Sequence, residues 1–181
     1  MEKCRMVFSG SGGQGIITAA ILIAEAAVLY EGLVAVQSQA YGPAARGGAA
    51  RSDVIISDSQ INYPKVIQPN VLVCLTQTAY DKFSSIVRPG GLLLTDSRYV
   101  KTSRKSDARQ VELPMHRTVM DKIGKPIVFN ICVLGVILSL TGFMRPGSIM
   151  KVLEARTPAD LLGMNREALD LGMEMGLPSK K

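Results

Sequence analysis

The chain has 181 residues, of which 47% are hydrophobic, 20% charged and 5% aromatic, and its formal net charge is +6. This apolar content excludes a disordered chain, and the length fits a single domain over residues 1–181 that buries roughly 70% of its unfolded surface. The charged fraction lies below the ~25% usual for soluble domains, so we expect part of the surface to be covered by a partner. The tail, residues 178–181, is expected to fray.

The number and spacing of the cysteines indicate the cellular compartment and limit the cofactors that this chain could hold. Cys4, Cys74 and Cys132 are odd in number and far apart, and they form neither a CxxC motif nor a Cys/His cluster. This spacing disfavours a disulfide framework, a zinc site and an iron–sulfur site in this chain. The N-terminus carries mixed charge and no signal-peptide core. The sequence therefore predicts a reduced, cytoplasmic protein.

The first 36 residues predict a strand, a glycine turn, a helix and a second strand. Residues 5–9 are rich in β-formers, Ile16–Tyr30 carries one charge and reads as a helix packed on most of its surface, and residues 33–36 are apolar again. Glu31 and Gly32 follow the helix, with glycine as its C-cap. This order predicts a βαβ unit.

Further apolar segments predict more strands at 53–57, 71–75 and 92–95, with a helix over 80–87 between the last two. Short strands that alternate with helices predict a Rossmann-like α/β fold, doubly wound, with a mostly parallel sheet. In such sheets ligands bind beyond the carboxyl ends of the strands. Functional residues are therefore expected in the loops that follow strands.

Residues 127–144 contain no charge, which is close to the length of a membrane span. Asn130, Ser139 and Thr141 interrupt the segment, so a helix buried inside the domain or at a subunit interface is favoured over a membrane span. Shorter helices are expected to begin at Ser148, at Thr157 with the following proline, and at Asn165.

The stretch from residue 98 to residue 125 carries eight bases against three acids, or five of the six net positive charges. It is interpreted as a solvated loop with the lone histidine, His116, at the surface. The alternative is a patch that attracts a polyanion or an acidic protein. Apart from Tyr99 the stretch lacks aromatic residues, so nucleic-acid binding is not expected.

The chain reads G-x-G-x-x-G from residue 10 to residue 15, between the first strand and the first helix. Gly10 would allow a tight turn, Gly12 would let the backbone approach a pyrophosphate, and Gly15 would permit close packing of the helix on the strand. Amides at the start of the helix would then face the anion. The predicted ligand-binding residues of this loop are Gly10, Gly12, Gly13, Gln14 and Gly15.

The ligand is a separate question. NAD and FAD sites normally place an acid about 20 residues further on, and residues 34–39 contain none. The Gly-Lys-Ser/Thr ending of a P-loop is also missing. A phosphorylated cofactor without the dinucleotide ribose contact fits better.

A second loop combines proline, paired glycines and one arginine over residues 41–48. Arg46 could hold a phosphate or carboxylate, and Gly47 and Gly48 could approach a ligand or partner. The structural alternative is a rigid connection whose arginine pairs with a neighbouring acid. The sequence near either loop contains no recognisable group of catalytic residues and no metal-binding motif. This chain is therefore predicted to be a cofactor-binding or interface subunit.

These motifs together resemble the gamma subunit of 2-oxoacid:ferredoxin (acceptor) oxidoreductases. The resemblance covers nearly the whole chain, and the Tyr-Gly-Pro-x-x-Arg-Gly-Gly form of the second loop looks most like the 2-oxoglutarate enzymes. It rests on residues 10–16, Gln39 to Pro43, Arg46 to Gly48, Asp53 to Ser57, Gln77, Gly90, Gly91, the helix with Asn130 and Gly135, and residues 165–172.

The resemblance implies a multi-subunit enzyme that converts a 2-oxoacid into an acyl-CoA, CO2 and reduced ferredoxin. It implies that both glycine-containing loops help form a coenzyme A site. Thiamine diphosphate, magnesium and iron–sulfur clusters would belong to the alpha, beta and ferredoxin-like delta subunits. Neither a catalytic residue nor a metal ligand is assigned to this chain, and a homodimer is an expectation for the isolated chain.

Two alternatives remain open at this level. The first is a stand-alone Rossmann oxidoreductase that uses NAD or FAD. The second is a non-catalytic interaction subunit whose glycine loop only makes a turn.

Overall fold

A computed structural model describes residues 4–39, 49–103 and 107–177. Its centre is a six-stranded sheet in the order β2-β3-β1-β4-β5-β6. The strands are β1 (Cys4–Gly10), β2 (Val34–Gln39), β3 (Ala50–Ser57), β4 (Val71–Cys74), β5 (Leu92–Asp96) and β6 (Arg109–Leu113).

In the described residues, six α-helices pack around the sheet, and short 3-10 turns follow α2 and precede α4. The helices are α1 (Ile16–Tyr30), α2 (Gln77–Phe83), α3 (Met115–Lys122), α4 (Phe129–Thr141), α5 (Pro146–Arg156) and α6 (Ala159–Gly176). The predicted α/β class and the bounds of α1 are confirmed.

The sheet is mostly parallel. Strands β1, β4, β5 and β6 pair in parallel, whereas β3 lies antiparallel between β1 and β2. The predicted βαβ unit is therefore split, because β1 and β2 run the same way but β3 is inserted between them. In a dinucleotide-binding fold the second strand lies beside the first, and the acid at its end binds the ribose. Here β3 occupies that position beside β1, so the end of β2 is not where a ribose would lie.

The two faces of the sheet are covered unequally. Helices α1, α3, α4, α5 and α6 share one large core with one face. The other face carries a smaller core with α2 and the connecting segments around Val66 and Val100.

Helix α4 lies at the centre of the larger core. Every residue from Phe129 to Leu140 is buried, which confirms the helix enclosed on all sides that the uncharged segment predicts. Among the described residues, no helix combines the length and the hydrophobicity needed to cross a bilayer.

Two sequence-based expectations about secondary structure are wrong. The basic stretch from 98 to 125 is not a continuous loop, because it contains β6 and α3. Both elements are largely polar, and in β6 only Val111 is buried, so hydrophobicity gave little signal. No helix begins at Asn165, which is buried within the continuous helix α6.

Candidate functional site

The glycine loop lies at the carboxyl end of β1 and is open to solvent. Gly12 and Gly13 are exposed, and a Cβ added at either would meet nothing within 4 Å. Gly13 has φ +85°, a backbone conformation that other residues adopt only with strain. The loop therefore presents bare backbone, as the sequence predicts.

Gln14 braces this loop with its side chain. Its Oε1 accepts a hydrogen bond from the Ser11 amide at 2.8 Å, and its Nε2 donates to the Leu75 carbonyl at 2.9 Å. The loop after β1 is thereby tied to the end of β4. A Cβ at Gly10 would lie 2.5 Å from Gln14 Oε1, so Gly10 makes room for this brace as well as ending the strand.

Gly15 joins the loop to a helix that is distant in sequence. It caps α1 with φ +70°, and its carbonyl accepts a hydrogen bond from Asn130 Nδ2 at 3.3 Å. A Cβ at Gly15 would lie 2.7 Å from that nitrogen. Gly15 does allow a close approach, but the partner is helix α4 through Asn130 and not the strand that the motif predicts.

Asn130 is part of this site although it lies outside the glycine motif. It is 7% exposed, and its Oδ1 is buried without a hydrogen-bond partner in the described part of the chain. The sequence offered one indication of its role. Asn130 lies in a long uncharged segment, and a polar side chain that is buried there needs a hydrogen-bond partner.

Only part of the loop is available as a donor, because the Ser11 amide donates to Gln14 Oε1 at 2.8 Å and the Gln14 amide to the Ser11 carbonyl at 3.4 Å. Within residues 4–39, 49–103 and 107–177, the N–H groups of Gly12, Gly13 and Gly15 reach no acceptor. Helix α1 has no side-chain N-cap and no acidic residue in its first turn. Unpaired amides at the positive end of a helix dipole favour an anion, above all a phosphate.

Asp96 lies at the same edge of the sheet, at the end of β5. It is fully buried, and its Oδ1 and Oδ2 accept hydrogen bonds from the amides of Arg98 at 2.8 Å and His116 at 2.7 Å. Burial raises the pKa of Asp96, and the two backbone hydrogen bonds oppose that rise. Asp96 therefore caps α3 and holds the turn after β5.

His116 is not a surface residue. It is half-buried in α3, and its ring makes edge-to-face contacts with Tyr99 at 5.3 Å and Phe129 at 5.4 Å between centroids. Its Nδ1 is buried without a hydrogen-bond partner among the described residues.

The second predicted loop lies outside the described residues, including Arg46, Gly47 and Gly48. The chain is described again from Ala49, and Ala50 pairs directly with Gly10 across β3 and β1. The strand that follows the second loop thus starts beside the glycine loop.

The cysteines do not form a metal or redox site in the described residues. Burial raises the pKa of Cys4 to about 11 and the pKa values of Cys74 and Cys132 to about 12, so the thiols hold their protons. Within the described ranges, no group of three His, Cys, Asp or Glu residues could hold a metal ion. These residues do not fit an iron–sulfur cluster.

Comparison with known proteins identifies the family. Residues 5–175 match the model of the pyruvate ferredoxin/flavodoxin oxidoreductase family. A 2-oxoglutarate synthase subunit KorC of Methanocaldococcus jannaschii is 42% identical over 169 residues, which cover 92% of this chain and 90% of that protein. The chain belongs to the pyruvate ferredoxin/flavodoxin oxidoreductase family.

Solved structures of the family have the same fold. The gamma subunit of a keto/oxoacid ferredoxin oxidoreductase from Geobacter sulfurreducens matches with a TM-score of 0.91 and 39% identity over 100% of both chains. A 2-oxoglutarate:ferredoxin oxidoreductase from Magnetococcus marinus, solved with 2-oxoglutarate, coenzyme A and succinyl-CoA bound, matches with a TM-score of 0.84 and 20% identity over 97% of this chain and 31% of that chain.

These comparisons confirm the resemblance drawn from the motifs. Within the oxidoreductase family, the chain is a gamma subunit of the 2-oxoacid:ferredoxin oxidoreductases and is most like the 2-oxoglutarate type. It is one subunit of an oxidoreductase complex, which excludes the stand-alone enzyme considered above.

Proposed function

We propose that this gamma subunit binds coenzyme A through its glycine loop and positions the thiol for acyl transfer within a 2-oxoglutarate:ferredoxin oxidoreductase. The observation that carries the proposal is that the amides of Gly12, Gly13 and Gly15 reach no acceptor among the described residues, at a helix start where Gly12 and Gly13 are exposed and no side chain caps α1. The reaction would yield succinyl-CoA, CO2 and reduced ferredoxin.

The pyrophosphate of coenzyme A suits this loop chemically. Adjacent backbone N–H groups bind a diphosphate without a side chain, and the dipole of α1 adds to the attraction. Glycine at positions 12 and 13 leaves the space that a phosphate would need. The solved Magnetococcus marinus protein contains coenzyme A, and it supports the proposal through the fold that it shares with this chain.

The side chains around the loop support it rather than contact the ligand. The Gln14 side chain ties the loop to the Leu75 carbonyl just after β4, and the Asn130 side chain reaches the Gly15 carbonyl from α4. Such bracing keeps the amides pointing in fixed directions before the ligand arrives. Preorganised donors lose little entropy on binding, which favours affinity.

The second loop would complete the site. Ala50 pairs with Gly10, and Arg46 precedes Ala50 by four residues. A fully extended chain of four residues spans at most about 14 Å, so the Cα atom of Arg46 must lie within that distance of the Cα atom of Ala50. Within that reach, the guanidinium of Arg46 would bind a phosphate, and Gly47 and Gly48 would leave room for the ligand. We assign to Arg46 a binding role rather than a chemical one.

The contribution of this subunit to the reaction is positioning. Asp96 is engaged by two backbone amides, and the three thiols have raised pKa values, so none of these groups is set up as a base or nucleophile. Thiamine diphosphate with magnesium and the iron–sulfur clusters would lie on the alpha, beta and ferredoxin-like delta subunits, in a cytoplasmic complex. Holding the thiol close to the acyl group would supply the rate advantage of proximity.

The decisive experiment uses Gly12→Val in the assembled complex. Gly12 has no positive φ and has open space where a Cβ would lie, so valine there should leave folding intact while filling the place of a phosphate. The loss of one or two charge-assisted hydrogen bonds predicts an increase in the KM for coenzyme A of roughly tenfold or more. The KM for 2-oxoglutarate should stay unchanged.

The matched control is Gly163→Val, since Gly163 is also exposed with nothing within 4 Å of its Cβ position, but lies on α6.

Arg46→Ala should raise the KM for coenzyme A without changing the stability of the complex. If both Gly12→Val and Arg46→Ala left the apparent affinity for coenzyme A at its normal value, the proposal would be wrong and the loop would be a structural turn.

A further inference from the structure

A cleft lies at the opposite end of the strands from the glycine loop. Its volume is about 570 Å³, and it is bounded by the start of β1, the segment before β4 and the turn before β5. Three basic side chains line it, those of Arg5, Lys65 and Arg88, together with Tyr63 and Ile67. We call it the basic cleft.

The walls of the basic cleft are fixed to one another by backbone hydrogen bonds. The Arg5 amide donates to Asn70 Oδ1 at 2.9 Å, and the Asn70 amide donates back to the Arg5 carbonyl at 2.7 Å. The Arg88 amide donates to the Pro69 carbonyl at 3.1 Å. The short segment 69–70 therefore connects the two arginine-bearing walls, and their spacing is set by the fold.

Among the described residues, the basic side chains of the cleft have no acidic partner. No Asp or Glu is among its lining residues, and no ion pair in the described ranges involves Arg5, Lys65 or Arg88. Nearby, the Asp107 carbonyl accepts a hydrogen bond from the Gly90 amide at 3.0 Å. Like charges held together repel one another unless an anion is present, so the cleft favours an acidic occupant.

The cleft also exposes large apolar side chains. Tyr63 is 59% and Ile67 71% exposed, and they lie beside the three bases. A small-molecule pocket encloses most of its ligand, whereas Lys65, Ile67 and Arg88 are all exposed. Cations next to uncovered apolar groups are typical of a surface that receives another protein.

We propose that the basic cleft docks an acidic segment of another polypeptide, with carboxylates on Arg5, Lys65 and Arg88 and an apolar side chain against Tyr63 and Ile67. This inference does not depend on coenzyme A binding, because the two sites lie at opposite ends of the strands. A single-stranded nucleic acid fits less well, since the described lining offers one aromatic ring rather than a series for stacked bases.

The test is direct binding of a fluorescein-labelled decapeptide of alternating Glu and Leu to the full chain, measured by fluorescence anisotropy at about 0.1 M salt. A peptide with Gln in place of each Glu reports the contribution of charge. Lys65→Gln/Arg88→Gln should weaken binding of the acidic peptide roughly threefold to tenfold. Tyr63→Ala should weaken both peptides.

The matched control is Lys125→Gln/Lys151→Gln, which removes the same charge from exposed residues outside the cleft. It should change the affinity less than twofold, and all variants should unfold at the wild-type temperature. Carbodiimide coupling followed by peptide mass spectrometry should join a peptide carboxylate to Lys65. The variant Gly12→Val should bind the peptide normally, so that this test and the coenzyme A test can fail separately.

Three outcomes would overturn the proposal. Equal weakening in both double variants would mean that only net charge matters. Displacement of the peptide from the cleft by inorganic phosphate or coenzyme A would identify a small-anion site. Tighter binding of an oligouridylate than of the peptide, lost in Lys65→Gln/Arg88→Gln, would identify a nucleic-acid site.

Discussion

At the scale of single residues, Asp96 shows two opposing effects on one carboxyl group. Its oxygens accept the amides of Arg98 and His116, which stabilises the charged form, while complete burial disfavours that form. Burial is the larger effect, so the pKa of Asp96 lies above its ordinary value of 3.8. The folded protein therefore binds this proton more tightly than the unfolded chain does.

The sign of the resulting pH dependence follows from linkage. A raised pKa in the folded state adds stability below the unfolded value, and that stability is lost as the pH rises through the folded value. Asp96→Asn removes the titration and leaves one backbone donor without an acceptor, so it should cost roughly 1–3 kcal/mol at neutral pH. The difference in unfolding free energy between wild type and variant should widen as the pH falls from 7 toward 4.

Urea unfolding of both proteins at several pH values checks this prediction, since the other carboxyl groups are common to both and cancel in the difference. A gap that narrows on acidification would mean that the two hydrogen bonds outweigh burial and that the pKa is lowered. Thr118→Ala offers a control on the same helix, because its hydroxyl donates to the Pro114 carbonyl and does not titrate.

Residue identity alone located part of the candidate site. The spacing of Gly10, Gly12 and Gly15 predicted an open loop before a helix, since glycine tolerates the backbone that such a turn requires. It could not reveal that Gln14 reaches Leu75 or that Asn130 reaches Gly15, because these contacts join positions 61 and 115 residues apart. Long-range contacts of this kind depend on the packing of the whole chain.

At the scale of elements, α4 and α6 meet at three glycines, Gly135, Gly172 and Gly176, and the first two face backbone most closely. A Cβ at Gly135 would lie 2.3 Å from the Leu169 carbonyl oxygen, and a Cβ at Gly172 would lie 2.0 Å from the Cys132 carbonyl oxygen. Both obstacles are backbone atoms, which cannot rotate away. The helices can approach this closely only because these positions lack side chains.

Gly172→Ala should therefore destabilise the protein. Overpacking against backbone costs typically 1–3 kcal/mol, and the better helix propensity of alanine offsets up to ~1 kcal/mol, so we expect a net loss of about 1–2 kcal/mol. Gly163→Ala in the same helix meets nothing within 4 Å and should be neutral or stabilising. Thermal unfolding that gave the two variants the same midpoint would contradict close packing at Gly172.

The elements also show why sequence patterns worked unevenly. Helices α1 and α4 are almost wholly apolar, so their existence was predicted from composition alone, and the bounds of α1 were right. Strand β6 and helix α3 were missed because most of their residues are polar and exposed. Their positions follow from parallel pairing with β5 and from the Asp96 cap, which local sequence does not encode.

At the scale of the whole molecule, the sheet has one thick layer and one thin one. The thick layer contains α4, whose residues from Phe129 to Leu140 are all buried. The thin layer contains α2, which has seven residues, among them the exposed Asp81 and Lys82. The class of fold was predictable from alternating strands and helices, but this asymmetry and the insertion of β3 were not, since neither leaves a periodic signal in the sequence.

The asymmetry predicts unequal opening of the two layers in native-state hydrogen exchange. Amides in α4 should open only with global unfolding, whereas α2 should open locally, because it buries few residues and is short. Protection factors in Gln77–Phe83 should therefore be lower than those in Phe129–Thr141 by roughly a hundredfold or more. Gly172→Ala supplies the matched test. By lowering global stability it should speed exchange in α4 while leaving exchange in α2 nearly unchanged, and a parallel increase in both helices would mean that the two layers unfold as one cooperative unit.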